Sequence, residues 1–114
     1  MNAGVPLTGT WGGQHLQVDL IQEGGTLEYD CASGTISSPL VPDESGRVVA
    51  LGIHSPGHGG PVRDDEVPPR LPARYEGQVS GDRLTLTVTI IQDNQRVGTF
   101  ALRRGANGLI FRCL

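Results

Sequence analysis

The chain has 114 residues, a formal net charge of −3 and 18% charged residues. This length corresponds to one domain, 1–114, that can bury a single core. The nine basic residues are all arginine and are scattered along the chain, whereas nucleic-acid binding requires clustered basic side chains. No apolar run approaches the roughly 20 residues that span a bilayer. We therefore expect neither a nucleic-acid partner nor a membrane span.

Apolar and polar residues alternate along most of the chain, which is typical of strands with one buried face. Gly24-Gly25, Ser80-Gly81-Asp82 and Asp93-Asn94-Gln95 separate such segments as turns. We expect the first strand to be long and kinked at Gly12-Gly13. The predicted strands in chain order are 10–22, 26–31, 35–40, 49–53, 73–80, 84–91, 98–103 and 109–113.

No segment has a clean helical period, so no helix is available to cover the apolar strand faces. These faces must cover one another. Consecutive short hairpins favour an all-β fold, a single up-and-down antiparallel β-barrel of about eight strands, because closure removes exposed edges. A β-sandwich is the alternative. The side chains predicted to point inward are Leu16, Val18, Leu20, Leu27, Leu51, Tyr75, Leu86, Val88, Phe100 and Phe111.

The two cysteines, Cys31 and Cys113, fall at the same end of a barrel with this strand order. Strands two apart are separated by about 9–10 Å, and a disulfide needs Cα atoms within about 7 Å. The Gly12-Gly13 kink would permit the necessary bending. We predict a Cys31–Cys113 disulfide; two buried free thiols are the alternative.

A disulfide would indicate an oxidising compartment, so we expect a periplasmic or secreted protein. Met1-Asn2-Ala3-Gly4 lacks the basic and apolar regions of a signal peptide. Either the chain is cytosolic, or it is a mature form that carries an added start methionine.

Residues 54–72 form the longest predicted loop, and five prolines stiffen it. Loops of this length in a compact domain are usually functional or disordered. We expect an ordered lid, anchored by Val62, Val67 and Leu71, over the barrel end that carries Trp11. His54 and His58 lie in this segment, but their spacing on a Gly-rich loop fixes no common face. We predict no metal site and no cofactor.

No stretch carries a catalytic signature, and the possible Cys31–His54 pair lacks a third residue to orient it. We assign no catalytic residues. The aromatic side chains form either a plain core or a cavity for a small apolar ligand. The candidate ligand-binding residues are Trp11, Tyr29, His54, His58, Tyr75, Phe100 and Phe111.

The segment Leu7-Thr8-Gly9-Thr10-Trp11 resembles the first strand of calycin barrels, the superfamily of lipocalin, avidin and nitrobindin-like proteins. The resemblance implies a barrel that holds a small hydrophobic ligand, biotin or haem. The chain departs from these families because it lacks the second lipocalin motif, the ligand-contacting tryptophans of avidin and an evident proximal haem histidine. The sequences at 29–32, 58–61, 72–75 and 112–114 also resemble small uncharacterised bacterial cell-envelope proteins.

Three classes of function follow from these patterns. The first is a binding module for a small apolar or amphipathic ligand, with residues 54–72 as its lid. The second is a protein-interaction or structural domain with a solid core. The third is a motif-poor barrel enzyme of the cyclase or isomerase type. The absence of a catalytic motif favours a non-enzymatic role, and no pattern indicates an oligomeric state.

Overall fold

The fold is all-β, and the computed structural model describes residues 4–56 and 70–111. Eight strands form one closed barrel in which every strand pairs with its neighbours along the chain. The prediction of an eight-stranded up-and-down antiparallel barrel is confirmed. The strands are β1 Gly9–Gly13, β2 Leu16–Ile21, β3 Gly24–Tyr29, β4 Ala32–Ile36, β5 Arg47–Pro56, β6 Leu71–Ser80, β7 Arg83–Ile90 and β8 Gln95–Arg104.

The barrel closes where β1 pairs antiparallel with β8, through Trp11 opposite Arg104 and Gly12 opposite Arg103. This ladder is short, and the chain after β8 reinforces it. The amide of Gly105 donates to the carbonyl of Thr10 at 2.7 Å, and the amide of Leu109 donates to Gly13 at 2.9 Å. The described residues contain no helix that could cross a membrane.

The prediction of a single long strand over 10–22 is wrong. This segment forms a hairpin of β1 and β2, in which Trp11 pairs with Val18. The chain reverses at Gln14-His15, where His15 has a φ of 69° in the left-handed region. Because non-glycine residues seldom adopt this conformation, the turn has no glycine or proline signal. The last predicted strand is also wrong in its described part, where Leu109 makes only an isolated bridge with Gln14.

Side chains fill the barrel interior. Trp11 and Tyr75 are the largest of the fully buried residues, and leucines and valines from β2, β5 and β7 surround them. Leu7 and Leu40 are buried at one end, where the amide of Leu7 donates to the carbonyl of Leu40 at 2.9 Å. The pockets that the described residues line lie at the barrel ends and on the outer wall.

The predicted register of β5 is wrong by one residue. Val49 and Leu51 point outward, with 49% and 57% of their surface exposed, whereas Val48 and Ala50 are buried. The physical reason is the lack of space on the inner face at Gly52. A Cβ atom there would lie 1.9 Å from the carbonyl oxygen of Thr35 and 2.9 Å from Tyr75 Cε2, so no side chain fits at this position. A one-residue shift exchanges the inner and outer faces of a strand.

The other predicted inward residues divide as follows. Leu16, Val18, Leu20, Leu27, Tyr75, Leu86 and Val88 are buried, as predicted, and Phe100 is half-buried. Phe111 is 61% exposed, so its inward assignment is wrong. It lies beyond the closed ladder, on a segment that follows the outside of β1. Gly12 allows this course, because a Cβ there would lie 2.4 Å from the carbonyl oxygen of Ala106.

The loop predicted over 54–72 is shorter than expected. Residues 54–56 belong to β5, and residues 71–72 belong to β6, where His54 pairs with Leu71 and Ile53 pairs with Pro72. Residues 57–69 lie outside the described part of the chain. The lid and its anchors Val62 and Val67 therefore stay predictions.

The register can be tested with two leucines. We expect Leu86→Ala to lower the free energy of unfolding by about 2–5 kcal/mol, because it opens a cavity in the core. We expect Leu51→Ala to change it by less than about 0.5 kcal/mol, because this side chain is on the surface. Urea unfolding of both variants measures the difference. Equal losses would show that β5 has the opposite register.

Candidate functional site

One end of the barrel carries a pocket of about 210 Å³, which we call the end pocket. Its residues come from the β1–β2 and β3–β4 turns, the last part of β5 and the first part of β8. It is lined by His15, Tyr29, Asp30, Cys31, Ala32, His54, Val97 and Phe100. These elements meet because turns between alternate pairs of antiparallel neighbours lie at the same end of a barrel.

Tyr29 forms the inner wall of the end pocket. Its ring meets His54 edge-on with a centroid distance of 5.1 Å, and it meets Phe100 at 5.8 Å. The hydroxyl is buried near the hydroxyl of Tyr75, and no hydrogen bond of standard geometry holds it in the described part of the chain. Burial, and then the nearby hydroxyl of Tyr75, raises the pKa of Tyr29 well above its usual value. The phenol therefore stays protonated and can donate a hydrogen bond.

His54 is the second buried polar side chain of the end pocket. It is 4% exposed, and its Nδ1 atom has no hydrogen-bond partner among the described residues. Burial lowers the pKa of His54 below 6.5, so the imidazole is neutral at pH 7. A neutral imidazole offers one donor and one acceptor nitrogen. Tyr29 and His54 together can bind a ligand with a hydroxyl, carbonyl or amide group.

The rim of the end pocket is a separate polar cluster. His15 Nδ1 lies 2.5 Å from Asp30 Oδ2, and the amide of Phe111 donates to Asp30 Oδ1 at 2.9 Å. The amide of Phe111 contributes most to holding the pKa of Asp30 below its usual value, and His15 adds to this effect. The Phe111 ring stacks obliquely on His15 with centroids 5.4 Å apart. The rim therefore attaches the last described residue to the β3–β4 turn.

A larger cleft of about 550 Å³ lies at the opposite end, between the β4–β5 loop and the β6–β7 turn. Its polar groups already have partners. Asp43 Oδ1 accepts hydrogen bonds from the amides of Ser45 and Arg47, and Gln78 donates to the carbonyl of Ser45. These bonds shape a turn, and we do not regard the cleft as the site.

The structure brings together three of the predicted ligand-binding residues, Tyr29, His54 and Phe100. Trp11 and Tyr75 do not line the pocket and are fully buried in the core, although the Tyr75 hydroxyl lies near that of Tyr29. The indole of Trp11 donates to the carbonyl of Thr8 at 3.2 Å, and the Tyr75 hydroxyl donates to Ile53 at 2.6 Å. Phe111 is on the rim, and His58 lies outside the described residues.

Sequence reasoning missed Asp30, Ala32, Val97 and His15 as pocket residues. His15 and Asp30 fall within the predicted strands 10–22 and 26–31, and both lie in turns between strands instead. Only the His15 turn, which lacks a turn signature, brings the His15 side chain to Asp30. The alternation of apolar and polar residues did not single out Val97. In β8 it lies at a register shift, between Arg96, which pairs with Thr89, and Gly98, which pairs with Val88.

Metal chemistry has no support among the described side chains. No group of three or more His, Cys, Asp or Glu residues in 4–56 and 70–111 is arranged to hold a metal ion. The end pocket also lacks a nucleophile paired with a base and an orienting residue. Its chemistry is that of hydrogen bonding within an aromatic wall.

Comparisons with known proteins assign no family. No protein-family model, curated protein or solved structure matches the chain. The closed barrel is compatible with the calycin resemblance in architecture. The function must therefore be argued from the end pocket itself.

The buried imidazole predicts a pH dependence of stability. Because the pKa of His54 is lower in the folded chain than in the unfolded one, the unfolded state binds the proton more readily. Stability should therefore fall as the pH drops below about 6.5. We expect His54→Phe, which keeps a ring, to lose less stability than the parent between about pH 7.5 and 5.5. Urea unfolding at both pH values measures this, and His15→Phe is the control. An unchanged pH slope in His54→Phe would refute the assignment.

The rim bears on the predicted disulfide, although Cys113 lies outside the described residues. The hydrogen bond between Phe111 and Asp30 brings residue 111 beside the neighbour of Cys31. Two further residues span at most about 7 Å. We expect thiol titration of the denatured, unreduced protein to find no free thiol, and the reduced sample to give two. Two thiols without reductant, after folding under oxidising conditions, would show that the cysteines do not pair.

Proposed function

We propose that the protein is a binding module for a small, uncharged, amphipathic ligand, which it holds in the end pocket. This keeps the ligand class expected from the sequence and moves the site from the barrel interior to one end. The interior is filled by Trp11, Tyr75 and the surrounding aliphatic side chains. The end pocket is formed by Tyr29, His54 and Phe100 together with the rim.

In the part of the chain that the structure describes, two buried side-chain polar atoms lack a hydrogen bond of standard geometry, Tyr29 Oη and His54 Nδ1. This observation carries the proposal. A buried donor or acceptor without a partner costs about 1–3 kcal/mol of folding free energy. Most buried polar atoms in proteins have partners, and each exception needs a reason. Both exceptions here are side chains of one pocket, with ring centroids 5.1 Å apart. A ligand with a polar group would satisfy them.

The size and electrostatics of the end pocket define the ligand class. A cavity of about 150 Å³ holds one benzene ring, so 210 Å³ suits a single ring with a short polar substituent. Burial keeps Tyr29 and His54 neutral at pH 7. They would not compensate the desolvation of a charged ligand. Phenol has the required size, an apolar ring and one hydroxyl, and it serves as the probe.

We test the proposal by titrating phenol and benzene into the protein and measuring affinity by NMR. The parent should bind phenol more tightly than benzene, because only phenol can pair with Tyr29 or His54. Tyr29→Phe should weaken phenol binding by about 2- to 13-fold, the value of one neutral hydrogen bond. The same substitution should raise the free energy of unfolding, since it removes an unsatisfied hydroxyl.

Tyr75→Phe is the matched control, because the Tyr75 hydroxyl is bonded to the Ile53 carbonyl. It should lower stability by about 0.5–1.5 kcal/mol and weaken phenol binding less than Tyr29→Phe does, because the Tyr75 hydroxyl already has a partner. If phenol does not bind saturably, or binds the parent and Tyr29→Phe equally, the end pocket is not the site.

The second candidate function is a protein-interaction domain with a solid core. The filled interior supports it, and so do the outward-facing Val49 and Leu51, which leave apolar surface on the outside of β5. If phenol does not bind saturably, or binds the parent and Tyr29→Phe equally, this function is favoured over ligand binding. In either case we propose a periplasmic or secreted location, and the thiol titration tests the oxidised state on which this location depends.

A further inference from the structure

The charges of the barrel are divided between its two walls. Residues 1–46, which include β1 to β4, contain no arginine or lysine. Strands β5 to β8 instead carry most of the positive charge, at positions whose side chains face outward. The acidic residues of the first wall are Asp19, Glu23, Glu28, Asp30, Asp43 and Glu44. The strand arginines of the second wall are Arg47, Arg74, Arg83, Arg96, Arg103 and Arg104.

A groove of about 410 Å³ crosses the positive wall, and we call it the outer groove. It is lined by Arg74, Glu76, Thr87, Thr89, Asn94 and Arg96. Arg74 pairs with Thr89, and Thr89 pairs with Arg96, so the three residues form one row across β6, β7 and β8. Neighbouring strands are about 4.8 Å apart. The two arginines therefore flank the threonine at a separation that one small ligand can bridge.

Thr89 forms the floor of the outer groove. It is 6% exposed although it lies on the outer face of β7. The residues around it rise above the strand surface and leave a recess rather than a flat sheet. Thr89 can offer a hydroxyl at the base, and Asn94 can offer a carboxamide from the β7–β8 turn.

The arginines of the outer groove are not all neutralised. Glu76 accepts hydrogen bonds from Arg47 Nη2 at 3.1 Å and from Arg74 Nε at 3.4 Å. Arg96 makes no ion pair with any residue in 4–56 or 70–111. Glu76 thus pairs with two guanidinium groups, and Arg96 adds a third that Glu76 does not pair with, so the excess charge is positive.

We propose that the outer groove binds a tetrahedral oxyanion, a phosphate or sulfate group, between Arg74 and Arg96. Guanidinium groups match such oxyanions through paired N–H donors. Thr89 and Asn94 supply further donors to the oxygen atoms that the arginines leave free. A planar carboxylate could be satisfied by one guanidinium, whereas the row offers donors from several sides. The site is separate from the end pocket and shares no residue with it.

The test is a titration of the full-length protein with inorganic phosphate, followed by NMR, with acetate as the planar comparison. Arg96→Gln should weaken phosphate binding by about tenfold or more, because it removes a charge-assisted contact. Arg103→Gln is the matched control. It removes the same charge from the same wall, at a residue whose Nε lies 3.9 Å from Asp82 Oδ2. This substitution should alter phosphate affinity by less than about twofold.

Equal losses in the two variants would overturn the proposal, because binding would then follow net charge alone. Acetate affinity that equals phosphate affinity would also overturn it.

Vesicles with and without phosphatidylglycerol distinguish the source of the anion. Vesicle binding that requires Arg96 and is displaced by phosphate identifies a lipid headgroup. Phosphate binding that requires Arg96, without vesicle binding, identifies a free or small-molecule anion, and no binding of either rejects the site.

Discussion

The ring of Tyr75 is the constraint on which the rest of the barrel depends. It occupies space on the inner face that a side chain on either Gly34 or Gly52 would fill, since a Cβ there would lie 2.7 or 2.9 Å from Tyr75 atoms. Its hydroxyl is held by the carbonyl of Ile53. The inner positions of β4 and β5 beside this side chain must therefore be glycine, whereas Val49 and Leu51 of β5 face solvent. The fully buried side chains of Trp11 and Tyr75 occupy the centre of the barrel.

A filled interior changes where ligand chemistry can occur. Calycin-like barrels that enclose a ligand need space between their strands, and here that space belongs to Trp11 and Tyr75. The polar groups that the core cannot satisfy are found at one end, where Tyr29 and His54 face each other. Among the described residues, the buried side-chain polar atoms without a hydrogen bond of standard geometry therefore lie at one end of the barrel and not at its centre.

Closure also distributes charge. In an open sheet the acidic first half and the arginine-rich second half would lie side by side on one surface. Because β1 pairs with β8, the two halves become opposite walls of one barrel. The electrostatic potential therefore differs between the two walls, and the arginine-rich wall can be positive although the net charge of the chain is −3. The two proposed sites depend on different interactions. The end pocket offers hydrogen bonds from neutral side chains, and the outer groove offers uncompensated positive charge.

The sequence by itself determined the all-β class and the inward face of β2, β3 and β7, because period-2 alternation is unambiguous there. The predicted total of eight strands agrees only because 10–22 forms two strands and the described part of 109–113 forms none. It also marked Tyr29, His54 and Phe100 as candidates. Only tertiary structure decided the register of β5, where both faces are apolar and no side chain fits on the inner face at Gly52. The same holds for the β1–β2 hairpin, since His15 turns the chain without a turn signature. The pairing of Tyr29 with His54, like the row of Arg74, Thr89 and Arg96, depends on which strands are neighbours, and local sequence periodicity contains no information about that.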